Sequence, residues 1–70
     1  MNEVDARGLS CPMPVIKTKK ALEAMEGGAL VVIVNDATSR DNVMRLAKSN
    51  GCAISMEQKG DEYYLTLTKG

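Results

Sequence analysis

Leu30-Val31-Val32-Ile33-Val34 limits what this chain can fold into more than any other segment. It is a continuous apolar run, β-branched from its second residue on, and of strand length. That pattern suits a central strand covered on at least one face. A chain of 70 residues makes one domain with a thin core. The other segments are therefore read by how they pack around this strand.

Asn2 to Ala6 alternates, with Val4 and Ala6 on one side, and reads as a short strand. Arg7-Gly8-Leu9-Ser10 is a loop in which Gly8 is free to take a positive φ. A first helix is predicted from about Pro12 to Met25, because proline suits the first helical position. Pro14 disfavours a helical Met13, so the start is open to slip to Pro14. Val15, Thr18, Ala21, Leu22 and Met25 share its inner face, and Gly27-Gly28 ends it. Asn35-Asp36-Ala37 is a turn. Thr38 or Ser39 is expected to cap a second helix running to about Ser49, with Asp41 placed as in a capping box. Its inner stripe is Val43, Leu46, Ala47 and Asn50, and Asn50-Gly51 stops it. Cys52 to Gln58 alternates, with Cys52, Ile54 and Met56 inward. Lys59-Gly60-Asp61-Glu62 is a hairpin turn. Tyr63, Leu65 and Leu67 then face away from Tyr64, Thr66 and Thr68. The order is β-α-β-α-β-β. Right-handed crossovers place both helices on one face of a four-stranded mixed sheet, an α/β two-layer sandwich.

Composition narrows the function classes. Hydrophobic residues at 44% argue for a folded chain. Nine basic residues balance nine acidic ones, so no bulk charge draws the protein to nucleic acid or a membrane. No apolar run approaches the ~20 residues that span a bilayer. The residues from Met1 to Asp5 lack the features of a signal peptide, so a cytoplasmic location is expected. Thiols stay reduced there, and no disulfide is expected between Cys11 and Cys52. With no histidine and two cysteines, no metal site is expected. No phosphate-cradling loop is present, and no cofactor is implied.

Cys11-Pro12-Met13-Pro14 carries the chemistry. A cysteine at a helix N-terminus meets the positive end of the macrodipole and unpaired N–H groups, which favour the reactive thiolate. Pro14 stands where a redox Cys-x-x-Cys pair needs its second thiol, so the sulfur is solitary. With Cys11 as N-cap, neither Pro12 nor Pro14 has an N–H. Only Met13 and Val15 remain as first-turn donors, a site shaped for one extended anion. The plain alternative is a small capping residue with an idle thiol.

The stretch Asp5-Ala6-Arg7-Gly8-Leu9-Ser10-Cys11-Pro12-Met13-Pro14 resembles the signature of the TusA/SirA/YedF family of small sulfur-carrier proteins, roughly Asp-x-x-Gly-Leu-x-Cys-Pro-x-Pro. The resemblance covers the whole chain and looks closest to the YedF-like branch. In larger members of that branch such a domain precedes a DsrE-like one, so a chain stopping at Gly70 is a stand-alone member or an excised domain. The resemblance implies a sulfur carrier holding a persulfide on Cys11. It implies a cysteine desulfurase-like donor and a relay acceptor, DsrE-like or other. In the best-known branch the relay leads to tRNA thiolation; others are linked to sulfur oxidation, thiosulfate uptake or selenium. Such a carrier is a sulfurtransferase component rather than a turnover enzyme, and is expected to be a monomer alone.

Asp5, Arg7, Gly8, Leu9, Pro12 and Pro14 complete the motif. Asp5 is a candidate to cap the cysteine loop or move a proton, against the plain reading of a turn carboxylate. Arg7 is a candidate to steady the sulfur anion, against a solvated arginine. Met13 and Ile16 point outward and form a candidate docking surface, although single exposed apolar residues are ordinary. Lys17 and Lys20, with Lys19, add charge that would steer an acidic partner, against a merely solvated face. Cys52 reads as a buried structural thiol. Two rival functions are an RNA-binding module, disfavoured by the balanced charge and by tyrosines on opposite strand faces, and a regulatory or redox-sensing thiol protein.

Overall fold

A computed structural model gives the fold, and it describes residues 2–10 and 12–69. The elements are β1 (Asn2–Asp5), α1 (Met13–Ala24), β2 (Gly28–Val34), α2 (Ala37–Ser49), β3 (Ala53–Lys59) and β4 (Glu62–Lys69). They form a four-stranded mixed sheet in the order β1-β2-β4-β3. β1 runs parallel to β2, and β4 runs antiparallel to both β2 and β3. The expected β-α-β-α-β-β order and α/β class both hold.

The apolar run lies at the centre. Leu30, Val32 and Val34 on β2 pair with Leu67, Leu65 and Tyr63 on β4. The leucines and valines among them are fully buried beneath the helices, together with Val43. Each such side chain stabilises the fold by about 1.5–3 kcal/mol on burial, a large share for so small a domain. The hairpin strands divide unequally. β4, rich in aromatic and β-branched residues, takes the interior place, whereas β3 is an edge. Met56 pairs with Leu65 and so shares its face, as the alternation predicts, yet it is 46% exposed. Its expected burial is corrected by its place on the edge strand.

The helix ends differ from expectation. α2 is capped by Asp36, not Thr38 or Ser39: its Oδ1 accepts from the Ser39 amide at 2.7 Å and its Oδ2 from the Ser39 hydroxyl at 3.0 Å. Asp reaches the third amide as well as Thr does, so the cap lies in what reads as the preceding turn. α2 ends as expected at Asn50-Gly51. Gly51 has φ 72°, its amide donates to the Lys48 carbonyl at 3.1 Å, and the Cys52 amide donates to Ala47 at 2.9 Å. This is a Schellman closure, and it turns Cys52 inward against Ala47's end of the core. Asn50 is exposed rather than inward, its side-chain amide donating to the Leu46 carbonyl at 2.8 Å.

α1 stops at Met25 before the glycines are reached. Lys69 Nζ donates to the Leu22 and Met25 carbonyls at 2.7 and 3.0 Å, placing a cation on the negative end of the helix. The inner face of α1 is Pro14, Thr18, Leu22 and Met25. Val15 is only half-buried because it lines the groove between the two helices instead.

Candidate functional site

The carboxyl ends of β1 and β2, the start of α1 and the β3–β4 turn all meet at one end of the sandwich. The cysteine loop lies between β1 and α1 there. Cys11 itself falls outside the described residues, and the residues that flank it define the site. Pro12 is the N-cap of α1, with Met13 helical; the sequence places that cap one residue earlier, on Cys11. Met13 is drawn into the helix because its amide donates to the Ser10 carbonyl at 2.8 Å. One of the two expected first-turn donors is therefore already engaged. The first turn of α1 carries no acidic residue, so no side chain of the helix offsets the positive end of its dipole.

The loop is held at several points. The Ala6 amide donates to the Ile33 carbonyl at 2.8 Å, and Ala6 is buried. Gly8 adopts φ 76°, the left-handed region that glycine enters without strain. Its amide donates to Asn35 Oδ1 at 3.1 Å. Leu9 packs against the core. Asp5 and Arg7 are directly joined: Arg7 Nε donates to Asp5 Oδ1 at 2.9 Å and Nη2 to Oδ2 at 2.7 Å. Arg7 Nη1 also donates to Glu62 Oε2 at 2.8 Å, and Glu62 Oε1 accepts from the Tyr64 hydroxyl at 3.2 Å.

This network sets the charges. The Arg7 guanidinium and amide hold the Asp5 carboxyl at about 2, against an ordinary 3.8, with the charge of Lys17 adding to the effect. Hydrogen bonding from Arg7 lowers Glu62 as well, and the two carboxylates keep Arg7 protonated.

Met13 and Ile16 are 43% and 38% exposed, and Lys17 and Lys20 are exposed beside them. Behind Pro12 and Val15 an open groove of about 380 Å³ runs between the helices to Arg45 and Leu46. Cys52 is buried at the far end of α2 from Asn35, about 20 Å away along a 13-residue helix. Asn35 and Glu62 read from sequence as turn residues, and only the fold brings them to the loop.

The family described as Sulfurtransferase TusA matches the chain over residues 2–69. The sulfur carrier protein TusA of Allochromatium vinosum is 33% identical over 69 residues, covering 96% of this chain and 91% of that protein. A relative from Methanocaldococcus jannaschii is 33% identical over 70 residues, covering 99% and 93%. The crystal structure of a SirA-like protein from Desulfitobacterium hafniense superposes with a TM-score of 0.91 at 36% identity, covering 100% of this chain and 99% of that one. With the family model and these relatives matching nearly the whole chain, and the sandwich shared with the SirA-like structure, the chain belongs to the TusA/SirA family of sulfur carriers.

Proposed function

We propose that the protein carries sulfur as a persulfide on Cys11, between a donor of the cysteine desulfurase class and an acceptor thiol protein. The observation that supports this reading is the start of α1: a helix N-terminus with no acidic residue in its first turn, reached by a loop that is hydrogen-bonded to Asn35 and Glu62. In loading, the Cys11 thiolate attacks the outer sulfur of a donor persulfide. The donor S–S bond breaks and the donor cysteine leaves as a thiolate. In unloading, an acceptor thiolate attacks the same sulfur and Cys11 leaves as a thiolate. No external oxidant is needed in either step.

Met13, Ile16, Lys17 and Lys20 form the surface on which donor and acceptor dock, apolar at its centre and basic at its rim. Burial of Cys52 supports a carrier, because a second exposed thiol would attack the persulfide and release the sulfur as sulfide. The reading places the work in the cytoplasm, where thiols stay reduced; no helix among the described residues is long and apolar enough to cross a membrane. It also places the chain nearest the YedF-like branch, on its Asp5-Ala6-Arg7-Gly8 opening. An RNA-binding role is disfavoured by the tyrosines: Arg40 covers the Tyr63 ring at 4.8 Å and Lys59 the Tyr64 ring at 5.1 Å, on opposite faces of β4.

The test is transfer of labelled sulfur from a cysteine desulfurase to the wild type, Cys11→Ser and Cys52→Ser, with thermal unfolding of each. Loss of label in Cys11→Ser alone, at unchanged stability, supports the carrier. Label retained by Cys11→Ser rejects it.

A further inference from the structure

Arg7 and Glu62 are separated by 55 positions in sequence yet joined at 2.8 Å. Arg7 belongs to the loop that leads into Cys11, and Glu62 opens β4 beside the hairpin turn. The contact spans the carboxyl end of β2, on the sheet face that no helix covers. Ile33 lies on that face between Asp5 and Tyr64 in the ladder. It is 5% exposed although no second layer packs there. An ordinary surface ion pair contributes little. Here, however, the arginine grips Asp5 with two nitrogens and Glu62 with a third, the forked geometry in which arginine fixes position as well as charge.

The anchor on the far side is firm. Glu62 pairs with Lys59 across a two-residue turn, and Gly60 at φ 61° stands first in that turn. Glu62 is held further by the Tyr64 hydroxyl. Each of the three guanidinium nitrogens donates to a carboxylate, so Arg7 is engaged as a tie, with two of its five N–H donors left over.

We propose, building on the carrier reading above, that Arg7 and Glu62 form a strap that pins the cysteine loop to the β3–β4 hairpin, with Glu62 a positioning residue for the chemistry at Cys11. Of the other charged groups, Asp5 acts on both Arg7 and Glu62 and Lys17 acts on Asp5, while Lys59 lies across the turn from Glu62 and Asp61 precedes it in the chain. Glu62 itself adds negative charge near the loop. As a mere charge, its removal would favour a thiolate. As a strap, its removal releases the loop from its place at the start of α1 and disfavours the thiolate. The two roles predict opposite signs.

The experiment is the pH profile of Cys11 alkylation by iodoacetamide, located by peptide mass, in wild type, Glu62→Ala, Glu62→Gln, Arg7→Lys and the double variant Arg7→Lys/Glu62→Ala. The strap predicts that Glu62→Ala raises the profile midpoint by about half a unit, the size of a helix-terminus interaction. Arg7→Lys, which keeps the charge but loses the fork, raises it too, and the double variant rises no further. Glu62→Gln keeps an acceptor for Arg7 and stays near wild type. A midpoint that falls or does not move in Glu62→Ala overturns the proposal, as does an Arg7→Lys profile equal to wild type. Failure of the carrier reading is separate: a wild type that is alkylated at Cys11 but takes no sulfur from a desulfurase rejects that reading and leaves the strap measured.

Discussion

The Gly8 amide donates to the side-chain oxygen of Asn35 at 3.1 Å, joining the loop after β1 to the residue that follows β2. The bond stabilises a left-handed glycine whose backbone has no ladder partner at this point. Asn35→Ala should leave the fold intact and cost about 0.5–1.5 kcal/mol locally. Hydrogen exchange at the Gly8 amide should then speed up to that of an open loop, while Asn35→Asp, which keeps the acceptor, restores protection. Equal protection in wild type and Asn35→Ala would show that the bond holds nothing.

Acid should loosen the loop before it unfolds the core. Arg7 holds Asp5 at about 2, against an ordinary 3.8. A carboxylate lowered on folding contributes stability that is present above its ordinary value and lost as pH falls through its folded one. Glu62 is lowered in the same direction. The network's contribution is therefore constant from about pH 6 to 8, begins to fall as pH approaches the ordinary Glu62 value of 4.5, and is lost as pH drops to about 2. Thermal midpoints of wild type and Arg7→Gln should converge across that interval. Parallel curves from pH 5 down to 2 would place the carboxylates outside the stability of the fold.

Lys69 docks a cation on the carboxyl end of α1, at 2.7 Å from the Leu22 carbonyl. Lys69→Met keeps much of the stem and removes the charge and its hydrogen bonds. Chemical denaturation should show a loss of about 1 kcal/mol. Cys11 alkylation, at the other end of the helix, should be unaffected. A change in alkylation with no change in stability would contradict this placement.

Ile16, 38% exposed, stands on the proposed docking face. Ile16→Glu removes no core contact and should change stability by no more than about 0.5 kcal/mol. Sulfur acceptance from a desulfurase should nevertheless fall about tenfold or more, the scale of a truncated interface anchor. Acceptance at the wild-type rate would move the docking face elsewhere.

Much of this was legible in the chain. Leu30 to Val34 announces the central strand, and the alternation of Tyr63 to Thr68 gives the correct faces, because burial imposes its period on sequence directly. The alternation from Cys52 to Gln58 also turns Cys52 inward, where it is buried, though the Schellman turn that directs it is visible only in the fold. What the chain conceals is long-range. The interior place of β4 and the edge place of β3 show only in composition, and the exposure of Met56 follows from them. Asp36 as a cap was hidden inside what reads as a turn. Lys69 ending α1, and Asn35 and Glu62 tying the cysteine loop, depend on residues brought together by topology, which no local pattern encodes.

The central claim is that Cys11 takes up sulfur, and intact mass after incubation with a cysteine desulfurase and cysteine tests it most directly. The account predicts a gain of one sulfur atom, reversed by reductant, located at Cys11 and absent from Cys11→Ser. An unchanged mass with Cys11 still open to alkylation, or added sulfur located at Cys52, would contradict it.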